Sequence, residues 1–389
     1  MLANHEPFSL YIHIPYCASK CPYCNFNSHV VPKIPEGEYT AALLQELDFY
    51  ALSDDWHGRN LKSIFFGGGT PSTFGPVSIG KILGKTASLF PFEQDIEITL
   101  EANPSTADSR NFYGYRSYGV NRISIGVQSF CPHLLRFLGR VHTAKESREA
   151  LRTVRQVGFE NFNLDLIYAS PGQSLSDLEA DLVEALSFHP PHLSTYNLTI
   201  EEGTPFHQEH RAGKIRPIPE QKEISMAELI EETLSGEGLE HYEISNYART
   251  GFQSRHNVNY WQGGDYLGIG AGAHSYKQIR DNGLLGHRWH NEKNPGRYMD
   301  KINWEGKGVA GEEVANLQEA AGEYMFLGLR MIQGISVKAF SRRFGKKPDE
   351  FYPQISEWVE EGLMEKNEEQ LRLTRRGLLV ANSIFVKVV

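Results

Sequence analysis

The sequence predicts an α/β fold, in which a partial, TIM-like (β/α)6 barrel is followed by a C-terminal, mostly helical, winged-helix-like domain. Six short apolar or alternating runs recur along the first half of the chain with helical segments between them, which is typical of a parallel sheet. Six units are fewer than the eight of a complete TIM barrel, so we expect an open barrel. The runs begin near Ser9, Ser63, Asp95, Arg122, Asn161 and His192.

The pattern changes after Thr199. A link rich in proline and charge over residues 211–220 leads to a helical stretch that ends near Gly236, then to a short strand-like segment over 241–245 and a glycine-rich segment over 263–272. From about Glu312 we expect helix again. Residues 336–389 then predict two helices, a hairpin over 363–373 and a last helix, which is the order of a winged helix. We therefore expect a core domain over 1–235, an extension over 236–310 and a C-terminal domain over 311–389.

Composition limits the classes of function. The 389 residues are 40% hydrophobic, which is enough for a sizeable core. The net charge of -9 argues against a nucleic acid as the main partner. Residues 1–9 lack the basic and apolar parts of a signal peptide, and no apolar run reaches the about 18 residues that span a bilayer. We therefore expect a cytoplasmic protein, in which thiols stay reduced.

Three cysteines are packed into one short loop. Cys17, Cys21 and Cys24 have the spacing CxxxCxxC, which lets three thiolates close over one face of a cubane cluster. A [4Fe-4S] cluster ordinarily takes four cysteines. Three leave one iron open to an exogenous ligand, which is the arrangement that radical S-adenosylmethionine (SAM) enzymes use to bind SAM.

Other metal chemistry fits the same spacing. Zinc accepts three thiolates and one histidine, and His13 and His29 lie close enough in sequence to supply it. A disulfide framework is harder to defend, because the fourth cysteine, Cys131, is far along a long chain. On spacing alone, cluster and zinc both remain open.

A glycine-rich turn follows the second apolar run. Gly67, Gly68, Gly69 and Thr70 come directly after the strand-like segment 64–66. Glycines at a strand end let a ligand approach the backbone closely, and carbonyl groups there accept hydrogen bonds from an ammonium such as that of SAM. An ordinary turn is the alternative.

Polar residues mark the ends of the next runs. Glu101 ends the third run, Gln128 ends the fourth, Asp165 lies in the fifth, and Arg140 follows shortly after Gln128. A carboxylate suits ribose hydroxyls, and the guanidinium fork of arginine suits a carboxylate. For any one of these residues alone, the alternative is a structural role, either as a polar side chain inside the barrel or in a salt bridge of a loop. Because the carboxyl ends of barrel strands share one rim, the four together predict a binding site there.

Longer segments carry a resemblance. With the cysteine loop, they are YIHIPYC (11–17), GGGTPS (67–72), EANP (101–104), SIGVQSF (124–130) and LDLIY (164–168). Over roughly residues 9–280 the chain resembles the oxygen-independent coproporphyrinogen III oxidase group of the radical SAM superfamily. The resemblance implies a [4Fe-4S] cluster bound by Cys17, Cys21 and Cys24. It also implies SAM contacts from Tyr11, Tyr23, Gly68, Gly69, Thr70, Glu101, Gln128, Arg140, Asp165 and Thr199.

Two features separate the branches of that group. In the oxidase the cysteine motif continues to CxxxCxxCxC, whereas here Phe26 stands at the last position, which puts decarboxylation in doubt. The first strand also begins near Ser9, which leaves no room for the longer N-terminal arm of the oxidase. HNVNYW (256–261) matches the HNxxYW motif of paralogous heme chaperones called HemW, as does NFNSH (25–29).

The similarity to HemW implies a heme chaperone that transfers heme to acceptor hemoproteins and keeps a radical SAM scaffold. Its heme would be bound by His256 through an axial nitrogen and by Tyr260 and Trp261 through flat apolar faces. A packed histidine beside core aromatics is the alternative for His256. The alternative function is an oxygen-independent coproporphyrinogen III oxidase, which forms protoporphyrinogen IX by SAM-dependent radical decarboxylation. Whether the protein is an enzyme stays open, and no catalytic residue is assigned.

The same resemblance implies further partners. They are a reduced flavodoxin or ferredoxin as electron donor, a second copy of the chain in a homodimer, and a membrane surface that is reached peripherally through the acceptors.

Overall fold

The computed structural model describes residues 6–281 and 284–389, and its main feature is a 12-stranded sheet. In spatial order the strands of this sheet are β12-β11-β10-β9-β1-β2-β3-β4-β5-β6-β8-β7, where the numbers follow the chain. The strands are β1 (Phe8–Ile14), β2 (Leu61–Gly68), β3 (Phe92–Ala102), β4 (Arg122–Gln128), β5 (Asn161–Tyr168), β6 (His192–Asn197), β7 (Glu240–Glu243), β8 (Asn246–Ala248), β9 (Tyr266–Ile269), β10 (His274–Asp281), β11 (Leu284–Asn291), β12 (Val309–Asn316), β13 (Ile335–Ser336), β14 (Met364–Lys366) and β15 (Gln370–Leu373).

Helices fill the connections between these strands. They are α1 (Glu36–Ala51), α2 (Pro76–Leu89), α3 (Ser109–Ser117), α4 (Pro132–Phe137), α5 (Ala144–Val157), α6 (Leu175–Leu186), α7 (Pro205–Arg211), α8 (Glu220–Gly236), α9 (Arg255–Trp261), α10 (Pro295–Glu305), α11 (Leu317–Gly328), α12 (Val337–Phe344), α13 (Pro348–Phe351), α14 (Ile355–Glu360), α15 (Arg375–Leu379) and α16 (Ala381–Phe385).

The predicted partial barrel is confirmed. All six apolar runs form strands, β1 to β6, and each pairs in parallel with the next one along the chain. The barrel is open, because β1 and β6 pair outward with β9 and β8 instead of with each other. One face of these strands packs in the hydrophobic core, as Ile123 and Leu164 do, whereas the other face carries polar residues such as Ser124 and Asp165, which is why several of the runs alternate in the sequence.

Capping groups set the starts of the barrel helices. Thr143 and Glu146 form a reciprocal capping box at the start of α5, and Ser174 and Asp177 form one at the start of α6. Gly158 ends α5 with a φ of 90°, the left-handed conformation that suits glycine. These caps fix two of the βα connections, and the parallel pairing of β1 to β6 keeps the carboxyl ends of the strands at one rim.

The sheet continues beyond the predicted barrel. The segment expected to be strand-like near residue 241 forms the hairpin of β7 and β8 on the β6 edge. On the other edge, β9 pairs in parallel with β1, and β10, β11 and β12 add an antiparallel extension. The expectation of helix from about Glu312 was wrong for the first residues, because β12 pairs with β11 as far as Asn316. Asn316 then caps α11 by accepting hydrogen bonds from two backbone N–H groups.

The C-terminal residues form a second hydrophobic core. Phe340, Ile355, Trp358 and Leu371 belong to it, and the barrel residues belong to a separate one. The predicted hairpin is formed by β14 and β15, and β13 adds a third strand, so the winged-helix-like arrangement is confirmed. The last segment forms two short helices, α15 and α16, instead of one. The predicted domain boundaries stay a prediction.

No helix in the described part of the chain is both long enough and apolar enough to cross a bilayer.

Candidate functional site

A cavity lies at the carboxyl ends of the barrel strands. This barrel cavity has a volume of about 580 Å³. It brings the cysteine loop together with the strand-end residues, so every residue predicted to bind cluster or SAM lines it except Tyr11. These residues are Cys17, Cys21, Cys24, Tyr23, Gly68, Gly69, Thr70, Glu101, Gln128, Arg140, Asp165 and Thr199.

The three cysteines of the loop are free thiols, each half-buried. Thr70 Oγ1 donates a hydrogen bond to Cys17 Sγ at 3.4 Å, and Arg140 Nη1 donates one to Cys21 Sγ at 3.4 Å. Burial raises the pKa of the Cys17 thiol, and the donor on its sulfur opposes that effect by stabilising the thiolate. Within residues 6–281 and 284–389 no three His, Cys, Asp or Glu side chains converge on a site for a metal ion.

Gly69 packs against the backbone of the cysteine loop. Its N–H donates to the carbonyl of Ile14 at 2.9 Å, and the N–H of Thr70 donates to the carbonyl of Tyr16 at 2.8 Å. A Cβ on Gly69 would lie 2.7 Å from that Tyr16 oxygen. Gly68 has a φ of +116°, and a Cβ there would meet the ring of His13 at 2.5 Å. The glycines therefore seat the loop on the end of β2, which is a different reason from the room for a ligand that the sequence suggested.

Two carboxyl groups lie on the wall of the barrel cavity. Asp165 accepts a hydrogen bond from Asn163 Nδ2 at 2.7 Å and one from Ser124 Oγ at 3.3 Å. Burial raises the pKa of Asp165. Burial, and then the charge of Asp165, raises the pKa of Glu101 to about 8. Glu101 is therefore largely protonated at neutral pH, and a cationic ligand would favour its ionised form.

Several polar atoms on this wall have no partner. In the described part of the chain, Gln128 Oε1, Arg140 Nε and Arg122 Nε are buried without a hydrogen bond. Buried polar groups are normally paired, so the cavity suits a polar ligand. Three thiols for a cluster, with an unpaired Nε of a guanidinium and an unpaired amide oxygen beside them for an amino acid, fit a [4Fe-4S] cluster and SAM.

A second cavity lies between the cysteine loop, the sheet extension and the C-terminal domain. This apolar cavity has a volume of about 1560 Å³. Phe26, Val386 and Val389 line it and are 64%, 79% and 79% exposed, and exposed apolar residues that cluster mark a binding surface. Its wall also includes Lys20, His29, Tyr260, Trp261, Tyr266, His274, Tyr276, Arg288, Lys293, Phe326 and Phe385.

The cysteine loop separates the two cavities. Four of its residues line both of them, namely Lys20, Asn25, Phe26 and Ser28. Tyr11 lines the apolar cavity, where its hydroxyl lies 3.0 Å from His13 Nδ1, and so stands apart from the other residues predicted to bind SAM.

The HNxxYW segment forms α9. The carboxylate of Glu97 accepts hydrogen bonds from the backbone N–H groups of Arg255 and His256, both at 3.1 Å. The ring of His256 is buried, with Nδ1 2.9 Å from Ser63 Oγ and Nε2 2.8 Å from the Tyr260 hydroxyl. Burial lowers the pKa of His256 to about 3, so its ring is neutral. Tyr260 and Trp261 line the apolar cavity, whereas His256 lies behind Tyr260.

Sequence reasoning missed Arg122 and most of the apolar cavity. Arg122 opens the fourth apolar run, is 2% exposed and lines the barrel cavity. A charged residue inside an otherwise apolar strand is a signal that could have identified it. The walls of the apolar cavity come from segments more than 300 residues apart, such as Phe26 and Phe385, and no local pattern joins them.

Comparison with known proteins gives a consistent assignment. The family model of the radical SAM superfamily matches residues 11–185, and that of the HemN C-terminal domain matches 315–380. The chain is 37% identical to the "Heme chaperone HemW" of Escherichia coli (strain K12) over 385 residues, which cover 97% of each chain. It is 35% identical to the "Heme chaperone HemW" of Bacillus subtilis (strain 168) over 380 residues, which cover 97% of this chain and 98% of the other.

A solved structure shares the fold. Coproporphyrinogen III oxidase (HemN) from Escherichia coli superimposes with a TM-score of 0.82 over 99% of this chain and 91% of the oxidase. The two sequences are 23% identical, so this likeness shows the fold alone.

Proposed function

The chain belongs to the radical SAM superfamily and, within it, to the HemW family, and from this premise we propose that it is a heme chaperone, which binds heme and transfers it to an acceptor hemoprotein. The observation that carries the proposal is the apolar cavity of about 1560 Å³ beside the cysteine loop. A porphyrin is a flat apolar ring with carboxylates at one edge. Aromatic walls suit the ring, and cationic side chains suit the carboxylates.

The cavity provides both kinds of group. Tyr260 and Tyr266 form a perpendicular pair with ring centroids 4.6 Å apart, and Phe326 and Phe385 form another at 5.2 Å. Lys20 and Lys293 lie on the same wall. The Lys20 ammonium also donates to the backbone carbonyl of Phe26 at 3.2 Å, which holds this cation against the cysteine loop.

We assign the barrel cavity to the cluster and SAM. Cys17, Cys21 and Cys24 would hold the [4Fe-4S] cluster, which supplies one iron open to the amino and carboxylate groups of SAM. Arg140 donates to Cys21 Sγ and to the carbonyl of Gly126 at 3.0 Å, so its unpaired Nε is held in place for a ligand carboxylate.

The remaining SAM contacts of the proposal have distinct roles. Asp165, held by Asn163 and Ser124, would accept hydrogen bonds from ribose hydroxyls, and Glu101 would face the cationic part of SAM. Gln128, Thr199 and Tyr23 complete the wall. Gly68, Gly69 and Thr70 keep the loop on β2. A SAM contact from Tyr11 would require the ligand to reach past the barrel cavity, because Tyr11 lines the apolar cavity.

The shared loop suggests how the two sites work together. Four of its residues line both cavities, so assembly of the cluster would set the shape of one wall of the heme site. We therefore propose that the cluster and SAM regulate heme binding or transfer. Phe26, where the oxidase has a cysteine, belongs to this wall and gives it an apolar surface.

Further partners remain proposals. They are a reduced flavodoxin or ferredoxin as donor, a homodimer, and peripheral contact with a membrane through acceptors. A cytoplasmic location, and the absence of a nucleic acid among the partners, are also proposals.

The test is anaerobic reconstitution with iron and sulfide, followed by separate assays for heme and for coproporphyrinogen III. We expect about four irons per chain, a heme Soret band, and transfer of heme to an apo-hemoprotein. Cys21→Ala should lose the iron, and Cys131→Ala should keep it, because Cys131 lies outside the barrel cavity. Stoichiometric zinc without iron uptake would contradict the cluster. Formation of protoporphyrinogen IX with SAM and a reductant would make the oxidase alternative correct.

A further inference from the structure

We propose that the apolar cavity selects heme by the position of its carboxylates, which bind Lys20 and Lys293 at the end of the cavity beside the cysteine loop. This inference rests on the proposed heme-binding function and names the residues that give that site its specificity. Heme carries its propionates on one edge of the ring and apolar groups on the opposite edge, whereas coproporphyrin III carries propionates all around the ring. A cavity with free cations at one end only therefore distinguishes the two porphyrins.

Three lysine or arginine side chains line the apolar cavity, and one of them already has partners. The Arg288 guanidinium lies 3.0 Å from a carboxylate oxygen of Glu313 through Nη1 and 2.6 Å from one of Glu323 through Nη2. Among residues 6–281 and 284–389, Lys20 and Lys293 are paired with no carboxylate, and both are exposed. A ligand carboxylate can therefore pair with either lysine without displacing an acidic side chain of the protein.

The two lysines lie at the same end of the cavity, next to Asn27 of the cysteine loop. The Lys20 ammonium donates to the carbonyls of Phe26 and Ser28, at 3.2 Å and 3.4 Å. These two residues flank Asn27 in the chain, and Asn27 Nδ2 donates to the carbonyl of Lys293 at 3.0 Å. Because an ammonium has three N–H donors, Lys20 keeps one for a ligand.

The part of the cavity around Arg288 offers a carboxylate nothing comparable. Arg288 lies in β11 three residues before the strand ends, and the chain reaches Lys293 only beyond that end. Since a strand rises about 3.3 Å per residue, Arg288 lies roughly 10 Å back from the strand end. Its partners Glu313 and Glu323 line the cavity there, as does Phe326 of the same helix as Glu323. A further propionate in this region would meet like charge and an apolar ring.

The charges therefore give the porphyrin one preferred orientation. Its propionate edge lies at the cysteine loop, and its apolar edge lies toward the C-terminal domain, where Phe326, Phe385 and Val386 line the cavity. Lys20 stands between Cys17 and Cys21 in the chain. The segment that holds the cluster thus also contacts a carboxylate of the heme.

The test is spectroscopic titration of the full-length, reconstituted protein with ferric heme, heme dimethyl ester and iron coproporphyrin III. The wild type should bind heme more tightly than either of the others. Lys20→Gln and Lys293→Gln should each weaken heme binding by about two- to fivefold, as loss of an exposed ion pair does, and should leave the affinity for the ester unchanged. Iron-sulfur content should match the wild type in both variants. Lys338→Gln is the matched control, because Lys338 is exposed on α12 and does not line the cavity.

Glu323→Gln tests the acidic part of the cavity. The change removes a carboxylate and releases Nη2 of Arg288 for a ligand. The affinity for iron coproporphyrin III should therefore rise relative to that for heme, by about two- to fivefold.

The outcomes separate the two proposals. Equal wild-type affinities for heme and its dimethyl ester, or heme binding that is unaltered in both lysine variants, would overturn the assignment of the carboxylates and leave the chaperone function standing. Wild-type protein that binds iron coproporphyrin III as tightly as heme would overturn the selectivity. A wild-type protein that binds none of the three porphyrins would overturn the proposed function and, with it, this inference.

Discussion

Glu46 on α1 is a buried carboxylate that ties the helix to the start of the sheet extension. It accepts hydrogen bonds from the N–H of Gly270 at 2.9 Å, Asn291 Nδ2 at 2.8 Å, the N–H of Gly308 at 3.2 Å and the Tyr298 hydroxyl. Gly270 lies two residues before Gly272, which lines the apolar cavity. The protonation state of Glu46 therefore bears on how firmly that part of the extension is held.

Burial raises the pKa of Glu46 to about 7 from an ordinary value of 4.5, and its hydrogen-bond donors oppose this only in part. The folded protein thus holds this proton more tightly than the unfolded chain does. The resulting stabilisation is present at acid pH and is lost as the pH rises from about 4.5 to 7. Since one pKa unit corresponds to about 1.4 kcal/mol, the free energy of unfolding should fall by about 3 kcal/mol over that range because of Glu46.

Glu46→Gln tests this value, because an amide does not titrate. Its NH₂ group would face a backbone N–H donor, which costs about 1–3 kcal/mol in the protonated regime. Urea unfolding between pH 5 and 8 measures the free energy of unfolding of the wild type and of the variant. The wild-type value should exceed that of the variant by an amount that falls by about 2–3 kcal/mol as the pH rises. Glu38→Gln, an exposed change in the same helix, is the control. If the difference in the free energy of unfolding between wild type and Glu46→Gln stays constant or grows with pH, the pKa of Glu46 is not raised in the folded protein.

Three further changes probe the two cavities. Gly69→Ala should lower iron incorporation, because its Cβ would lie 2.7 Å from the Tyr16 oxygen. Gly84→Ala is the control, because a Cβ there meets nothing within 4 Å. Equal iron contents in the two variants would show that the cysteine loop tolerates the displacement. SAM binding near pH 7 should release a proton, because the pKa of Glu101 is about 8 and a cation favours ionisation; calorimetry in buffers of different ionisation enthalpy would measure it, and Glu101→Gln should abolish it. Phe26→Ala should weaken heme binding without loss of iron, because Phe26 is 64% exposed on the apolar cavity; unchanged heme affinity would remove Phe26 from the site.

The sequence predicted those parts of the fold and of the candidate site that depend on residues close together in the chain. The six barrel strands were predictable because each has a face of core residues that recurs at short spacing, and Glu101 and Asp165 were predictable because strand ends meet at one rim. β12 was mistaken for helix because its pairing with β11 depends on a distant segment.

Side-chain direction was harder to predict than position. Tyr11 lies on the predicted strand, but adjacent residues of a strand point to opposite faces, and Tyr11 faces the apolar cavity. His256 lies in the predicted motif on α9, but its ring is hydrogen-bonded to Ser63 on the distant strand β2, which no local pattern indicates. The apolar cavity is completed by the C-terminal helices, so its wall could not be read from any one segment.

If heme and SAM bind as proposed, the loop segment that lines both cavities would make the two ligands thermodynamically dependent on each other. Any displacement of Lys20, Asn25, Phe26 or Ser28 that favours one ligand alters the wall that the other contacts. Linkage is reciprocal, so the factor by which SAM changes the affinity for heme equals the factor by which heme changes the affinity for SAM. A cell with scarce SAM would then hold its heme on this protein with a different affinity from a cell rich in SAM, without any chemical step.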